Sequence, residues 1–205
     1  TSGSMLLTDS SLQPVTRALM YNSAGFDPEA EIIAKIAPEP NITRGSNSAL
    51  ARAMRLISED EDNKARHLMH QADFIAAKLM KKGGLSDQNN TLKLGYDPKN
   101  ECWPEWIINS GFNHNLLPDV YPIGKPLGTI NNAIAVDLRL SKNLIIHAGT
   151  TDSIAGFLAS APLQKGAAVT SLGSTLAIKI LCKNQIKEPS IGLYSHKIGN
   201  FWLTG

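Results

Sequence analysis

The sequence predicts an α/β protein, because the spacing of its apolar residues changes along the chain. Up to about residue 140 they recur mostly three and four positions apart, the spacing of one face of a helix. Residues 144–148 form a short apolar run that a glycine ends, and a helical pattern follows it. From residue 167 onwards, apolar and polar residues alternate as they do in strands. We therefore expect a helix-rich first domain at 1–162 and the opening strands of a second domain at 163–205.

The composition excludes two classes of partner. The chain has 205 residues, 42% of them hydrophobic, and a net charge of +2. Nucleic-acid binding needs clustered Lys and Arg side chains, and the sequence has no such cluster. It also lacks an apolar run of roughly 20 residues, the length that spans a bilayer, and a secretory signal pattern at its start. We expect a cytoplasmic protein without nucleic-acid or membrane partners, and a homodimer is compatible with the sequence.

Capping residues mark the predicted helix starts. Asp27 is expected to cap a first helix, and either Asn47 or Ser48 a second, because short polar side chains accept hydrogen bonds from free amides there. A third helix is predicted over 71–82, where two glycines end it. Shorter helices are predicted from residue 104 and over 131–138, with a surface connection at 114–130 between them. The third helix has four predicted inward residues: Ala72, Ile75, Ala76 and Leu79.

The strands of the second part carry a clear two-residue period. Residues 167–172 and 175–181 are predicted strands, and in the second of them Lys179 lies on the face opposite to Leu176, Ile178 and Ile180. Gly199 and Asn200 form a predicted hairpin turn between two further strands.

The first candidate site is the corner at 149–153 (GTTDS), where a strand leads into a helix. A carboxylate held at such a corner is well placed to act as a general base or as a metal-linked group, so Asp152 is the candidate catalytic residue. The alternative is that Asp152 or Thr151 only caps the helix, the common use of such residues at helix starts. Both interpretations remain open from the pattern alone.

The second candidate site is the small-residue turn at 171–175 (SLGST). Its exposed amides and hydroxyls could hold phosphate oxygens, although a plain hairpin turn has the same composition. No Walker motif is present, because no Gly-Lys-Ser or Gly-Lys-Thr follows a glycine-rich loop.

Other chemistry-bearing residues carry weaker patterns. Tyr21 and Asn22 could stack on and hydrogen-bond a sugar, or could simply end a strand. His67 and His70 are three residues apart but imply no third ligand, so we predict no metal site from histidines. The two cysteines, at 102 and 182, are expected to be free buried thiols.

Taken in order, several segments resemble the FGGY family of carbohydrate kinases, and most of all its pentulose kinases of the D-ribulose and xylulose groups. The resemblance covers essentially the whole chain. It rests on the joint order of segments that are individually weak: residues 1–7, 18–22 (ALMYN), 70–74 (HQADF), 86–97, 149–153 and 171–175.

The resemblance implies an actin-like, ribonuclease H-like ATPase fold and phosphoryl transfer from ATP, with Mg²⁺, to a sugar alcohol group. It implies that Asp152 takes the proton from the sugar hydroxyl, as a general base. A further four residues would line the sugar pocket with it: Thr1, Ser2, Tyr21 and Asn22. Three would approach the ATP phosphates: Gly173, Ser174 and Thr175.

Two departures from the family pattern shape the expected activity. Family members commonly continue the Tyr-Asn segment as Asp-x-Arg, whereas residues 23–25 are Ser-Ala-Gly here. The family's first phosphate hairpin and its adenosine-binding region have no counterpart in the sequence. We therefore expect this chain alone to be inactive, as part of a kinase for D-ribulose first and D-xylulose next. The alternative hypothesis is a non-catalytic sugar-binding or degenerate kinase fragment.

Overall fold

The computed structural model describes residues 3–160, 163–172 and 176–205 of the chain. Within them it is a mixed α/β protein in which several short helices surround small sheets, with a larger sheet at the C-terminal end. The α-helices are α1 (Asp27–Ile36), α2 (Ala49–Glu59), α3 (Gln71–Met80), α4 (Glu105–Ile108), α5 (Asn132–Asp137) and α6 (Asp152–Ser160).

The strands of the first 160 residues form three two-stranded sheets, and the later strands form one sheet of five. The first six are β1 (Met5–Thr8), β2 (His67–His70), β3 (Leu85–Asp87), β4 (Asp119–Tyr121), β5 (Pro126–Thr129) and β6 (Ile145–His147). The last five are β7 (Ala168–Leu172), β8 (Leu176–Cys182), β9 (Lys187–Glu188), β10 (Leu193–Ile198) and β11 (Phe201–Thr204). The pairs are β1–β2, β3–β4 and β5–β6, and the five-stranded order is β7-β8-β11-β10-β9.

The first core lies between the β1–β2 sheet and helices α1 and α2. Met5 and Leu7 of β1 pack with Ile33 of α1 and with Leu50 and Leu56 of α2, and all five side chains are almost fully buried. Burial of such side chains away from water is the main stabilising contribution to a core of this kind. This cluster therefore fixes where the segment that follows β1 can run.

A second core lies between helix α6 and the five-stranded sheet. Ile154 and Phe157 of α6 pack with Leu181 of β8, Ile198 of β10 and Leu203 of β11. The helix that carries Asp152 is thus held against the sheet that follows it in the chain. Its position relative to β8 is set by apolar packing.

The capping predictions had different outcomes. Ser48 caps α2, because its Oγ accepts a hydrogen bond of 3.1 Å from the amide of Ala51. The prediction for Asp27 was wrong: Asp27 is the first residue of α1, and Phe26 precedes it without a side-chain hydrogen bond. Asp27 contributes instead as an acidic residue in the first turn, which the helix dipole favours.

The predicted inward face of α3 was also wrong. The buried residues are Asp73, Ala77 and Met80, whereas Ile75 is 55% exposed. The cause is polar: the Asp73 carboxylate accepts hydrogen bonds from the backbone amide of His70, at 2.9 Å, and lies 3.1 Å from its Nδ1. This reciprocal cap turns the Asp73 side inward, and apolar spacing alone does not reveal it.

The strand predictions were confirmed in the last part of the chain. Gly199 and Asn200 connect β10 and β11 in a hairpin whose register pairs Ile198 with Phe201. The connection at 114–130 carries more structure than expected, because β4 and β5 both lie within it. No helix in the described part of the chain is long and apolar enough to cross a bilayer.

Candidate functional site

Asp152 lies at the start of α6, immediately after the turn that follows β6. It is the first helical residue, it is exposed, and its Oδ1 accepts a hydrogen bond of 2.7 Å from the amide of Ser153. The carbonyl of Thr151 begins the helical hydrogen bonds, accepting from Ile154 at 3.1 Å and from Ala155 at 2.9 Å. The arrangement presents a carboxylate to solvent on a rigid element, as a general base requires.

A buried amide loop, residues 87–90, holds the corner from the other side. Nδ2 of Asn89 donates to Oγ1 of Thr150 at 3.0 Å and to the carbonyl of Lys197 at 3.3 Å. Nε2 of Gln88 donates to the same carbonyl at 3.2 Å. The loop thus connects the turn before Asp152 to strand β10.

The loop itself is ordered by Asp87. Its Oδ1 accepts hydrogen bonds from the amides of Asn89, at 2.9 Å, and Asn90, at 3.0 Å. Burial raises the pKa of Asp87 above its ordinary value, and the hydrogen bonds from Asn90 partly oppose that rise. Among the described residues, Oδ1 of Asn89 is buried without a hydrogen-bond partner.

Lys179 reaches the same corner from the sheet. It lies on β8 opposite Val169 of β7, and its Nζ donates a hydrogen bond of 2.8 Å to Oγ of Ser153. Burial lowers the pKa of Lys179, the nearby Asp152 raises it, and Lys93 lowers it again, with a net decrease. A cation from the second core therefore stands beside the candidate base.

Lys93 and His196 complete the surroundings of Lys179. Nζ of Lys93 lies 5.2 Å from the centroid of the Tyr194 ring, and that ring lies 5.2 Å from the imidazole of His196. Burial, followed by the charges of Lys179 and Lys93, lowers the pKa of His196 to about 3. The imidazole is therefore neutral at pH 7, and the two lysines are the cations of this cluster.

The candidate sugar segment lies beside the end of the first core. Tyr21 is 54% exposed, and its backbone amide donates a hydrogen bond of 3.0 Å to Oγ of Ser4. Asn22 is also exposed. Thr1 and Ser2, which the resemblance places beside them, lie outside the described residues.

A buried arginine supports this segment from below. Arg52 is 2% exposed, and its Nη2 donates to the carbonyls of Tyr21 and, at 3.3 Å, of Ser23. Its Nη1 donates to the carbonyls of Asn47, at 3.0 Å, and Ser48, at 3.3 Å. Arg52 thus fastens the segment to the start of α2.

The predicted phosphate residues, Gly173, Ser174 and Thr175, lie outside the described residues, so their role stays a prediction. A cavity of about 280 Å³ lies between residues 38–42, residues 92–98 and the strands around Tyr194. It is not lined by Tyr21, Asn22 or Asp152, which are described residues.

The remaining titratable residues form no site of their own. In the described part of the chain, no group of three or more His, Cys, Asp and Glu side chains could hold a metal ion. His67 and His70 lie on strand β2, not on a helix face. Both cysteines are free, but Cys102 is exposed, which corrects the expectation that both are buried.

Sequence reasoning missed two residues that contact the corner, Asn89 and Lys179, and two that act on Lys179 or lie near it, Lys93 and His196. Only Lys179 had a usable pattern, as the single charged residue in the otherwise apolar strand β8. The others come from distant segments, and local spacing does not indicate that they meet.

Comparison with known proteins establishes the fold. No protein-family model matches the sequence. The structure is similar to a xylulose kinase from Rhodospirillum rubrum, with a TM-score of 0.85 and 18% identity over 98% of this chain. It is also similar to a glycerol kinase from Plasmodium falciparum (TM-score 0.78, 16% identity, 99% of this chain) and to a carbohydrate kinase from Novosphingobium aromaticivorans (0.78, 15%, 100%).

The chain therefore has the mixed α/β, actin-like ATPase fold of these sugar kinases, as the resemblance of its segments implies. It spans 43%, 44% and 48% of the length of the three solved chains, which is less than half of each.

Proposed function

We propose that this chain is part of an ATP-dependent sugar kinase, and that the whole enzyme phosphorylates an alcohol group of a pentulose. D-ribulose is the favoured substrate and D-xylulose the next. The observation that carries the proposal is the exposed Asp152 carboxylate, on a helix start that Asn89 and Lys179 hold from two sides. The fold shared with sugar and glycerol kinases supports the same reaction class.

In this proposal Asp152 accepts the proton of the sugar hydroxyl. Tyr21 and Asn22, with Thr1 and Ser2, bind the sugar, and the packing of α6 on the sheet fixes the carboxylate. Positioning and charge neutralisation supply most of the rate in phosphoryl transfer, so rigid placement of Asp152 is the chain's main contribution.

ATP, bound with Mg²⁺, would supply the phosphoryl group. The described residues fit an anionic phosphate, because the ammonium group of Lys179 bonds to Ser153 beside Asp152, and the charge of Lys93 is near enough to lower the pKa of Lys179. Gly173, Ser174 and Thr175 would hold phosphate oxygens through their amides and hydroxyls.

We propose a division at 162/163 between a sugar-binding domain and the start of a nucleotide-binding domain. Because the chain spans less than half the length of each of the three solved kinases, we expect this chain alone to release no ADP above background. Sugar-dependent ADP release by the 205-residue chain would contradict that expectation.

The first prediction tests Asp152 directly. In the enzyme that contains this chain, Asp152→Asn should lower kcat by roughly 10²–10⁴-fold, the usual contribution of a general base. Sugar affinity should change little, because the amide keeps the shape of the carboxylate. Initial rates and sugar titrations measure the two quantities.

Asp137→Asn is the matched control, because Asp137 is an exposed acid at the end of α5, away from the corner. Its kcat should equal that of the wild type. An undiminished kcat in Asp152→Asn would rule out the base assignment.

One observation favours a second candidate, a non-catalytic sugar-binding module. Ser23 and Gly25 stand where the family pattern has an acid and an arginine. A thermal-shift panel of ketopentoses, with and without MgATP, tests for sugar binding, and turnover by the complete enzyme then separates the two candidates. A binding ligand raises the melting temperature of the native state in both cases. Pentulose binding without turnover in the complete enzyme would support the sugar-binding module and contradict the kinase proposal.

A further inference from the structure

We propose that Lys179 binds the phosphoryl group beside Asp152, and that Lys93 adds to the positive potential that attracts it. The inference rests on the proposed kinase function and deepens it by naming a cationic side chain for the anion. It concerns a residue on β8, outside the predicted phosphate residues 173–175.

The position of Lys179 follows from strand register. Residues on β8 alternate between two faces: Ile178 and Ile180 are 52% and 42% exposed, whereas Leu181 is fully buried against α6. Lys179 shares the face of Leu181, two residues earlier in the strand. Its side chain therefore leaves the edge of the second core and reaches the start of α6 at Ser153.

The side chain is held in place before any ligand arrives. Its Nζ donates a hydrogen bond to Oγ of Ser153, and its Cγ lies 3.0 Å from the position that a Cβ on Gly205 would take. A cation that is already ordered loses less entropy when it binds an anion.

The charge around Lys179 is unbalanced. Six ion pairs join described residues, and neither Lys179 nor Lys93 belongs to any of them. The charge of Lys93 lowers the pKa of Lys179, whereas the carboxylate of Asp152 raises it. The imidazole of His196 is neutral at pH 7 and adds no charge. Lys179 therefore has no ion-pair partner among the described residues, which leaves its charge available to an anion.

Such a site suits the chemistry expected at this corner. In phosphoryl transfer, charge is spread over the phosphoryl oxygens, and cations placed in advance stabilise it without reorganising. The ammonium of Lys179 carries three donors, so it can keep its bond to Ser153 and still donate to a phosphate oxygen. A lysine that served only to tether α6 would have no effect on anion affinity.

The test uses the 205-residue chain and inorganic phosphate as the probe. Phosphate is titrated at constant ionic strength while the backbone amide shifts of Ser153 and Ile154 are followed by NMR. The wild type should show saturable shifts at these amides. Lys179→Met should weaken phosphate binding roughly tenfold, since a hydrogen bond to a charged group is lost. Lys179→Arg, which keeps the charge, should lose less than about threefold.

Lys183→Met is the matched control, because it removes the same charge from an exposed residue four positions further on. Its phosphate affinity should remain that of the wild type. Dispersed amide spectra establish that each variant is folded. Absence of saturable shifts in the wild type, or equal affinity in Lys179→Met and wild type, would overturn the inference.

Pentulose binding, measured in the same variants, separates this inference from the kinase proposal. If the chain binds a pentulose and Lys179→Met keeps the wild-type phosphate affinity, only the proposed role of Lys179 is contradicted. If the wild-type chain binds neither phosphate nor any pentulose, both the role of Lys179 and the proposed kinase function are contradicted.

Discussion

Two cations support the two halves of the candidate site, and they do so in different ways. Arg52, under the Tyr21 segment, is 2% exposed and gives its hydrogen bonds to four backbone carbonyls. Lys179, beside Asp152, is half-buried and bonds to one hydroxyl. A guanidinium whose Nη donors are all hydrogen-bonded to the backbone has a structural role. An ammonium group that uses only one of its three donors can still bind a ligand.

The difference also has an electrostatic side. Burial lowers the pKa of Arg52, and no carboxylate among the described residues pairs with it. The ring of Phe26, 5.5 Å from the guanidinium carbon, and the carbonyl dipoles take the place of a counter-ion. At the Asp152 corner the compensating group is a carboxylate that the proposed reaction also uses.

The largest expected effect on stability comes from replacing Arg52. Arg52→Met should lower the free energy of unfolding by about 3–5 kcal/mol, because four carbonyls lose their donor while they remain near the core. Denaturant unfolding measures the loss. Arg55→Met is the control: Arg55 is less buried, pairs with Glu29, and its loss should lower the free energy of unfolding less than that of Arg52 does. A smaller loss of unfolding free energy in Arg52→Met than in the control would show that Arg52 does not stabilise this segment.

The second effect depends on pH and lies in the other region. The folded-state pKa of His196, about 3, is below its ordinary value of 6.5, so the unfolded chain binds more protons between those values. Its contribution to stability is complete above pH 6.5 and falls as the pH decreases towards 3. Near pH 5 the loss should be about 2 kcal/mol.

His196→Gln should flatten this acid limb, which unfolding free energies measured between pH 5 and 7 would reveal. His147→Gln is the control, because His147 is exposed at the end of β6. Equal slopes in wild type and His196→Gln would contradict the buried, neutral imidazole.

A smaller effect is expected where α2 begins, at the end of the Arg52 network. Ser48→Ala removes the side-chain acceptor for the Ala51 amide and should cost about 1 kcal/mol. Ser48→Asp, which keeps an acceptor, should recover most of that loss in the same thermal unfolding measurement. Equal stability of wild type and Ser48→Ala would show that the cap is not needed in this context.

The smallest effect is expected at Lys179 itself. Lys179→Met should change the free energy of unfolding by less than about 0.5 kcal/mol, because the stem stays and only a partly solvated hydrogen bond is lost. Chemical unfolding at pH 7 measures it. A loss of stability as large as that of Arg52→Met would show that Lys179 also has a structural role, and the two regions would then not differ in this respect.

Much of the fold could be predicted from the sequence, since the relevant rules are local. The β10–β11 hairpin follows from Gly199 and Asn200, and the α2 cap from Ser48. The orientation of α3 could not be predicted from apolar spacing, because the buried polar pair of His70 and Asp73 decides it. The strands within 114–130 were missed because each is only three or four residues long.

For the candidate site, the sequence by itself determined the corner at 149–153, the alternation of β8 and the order of segments that resembles a carbohydrate kinase. These depend on residues close together in the chain. Only the tertiary structure decided that Asn89 and Lys179 meet that corner and that Arg52 lies under Tyr21. Those contacts join residues 26 to 61 positions apart, and they form because packing of α2 and α6 on their sheets brings the segments together.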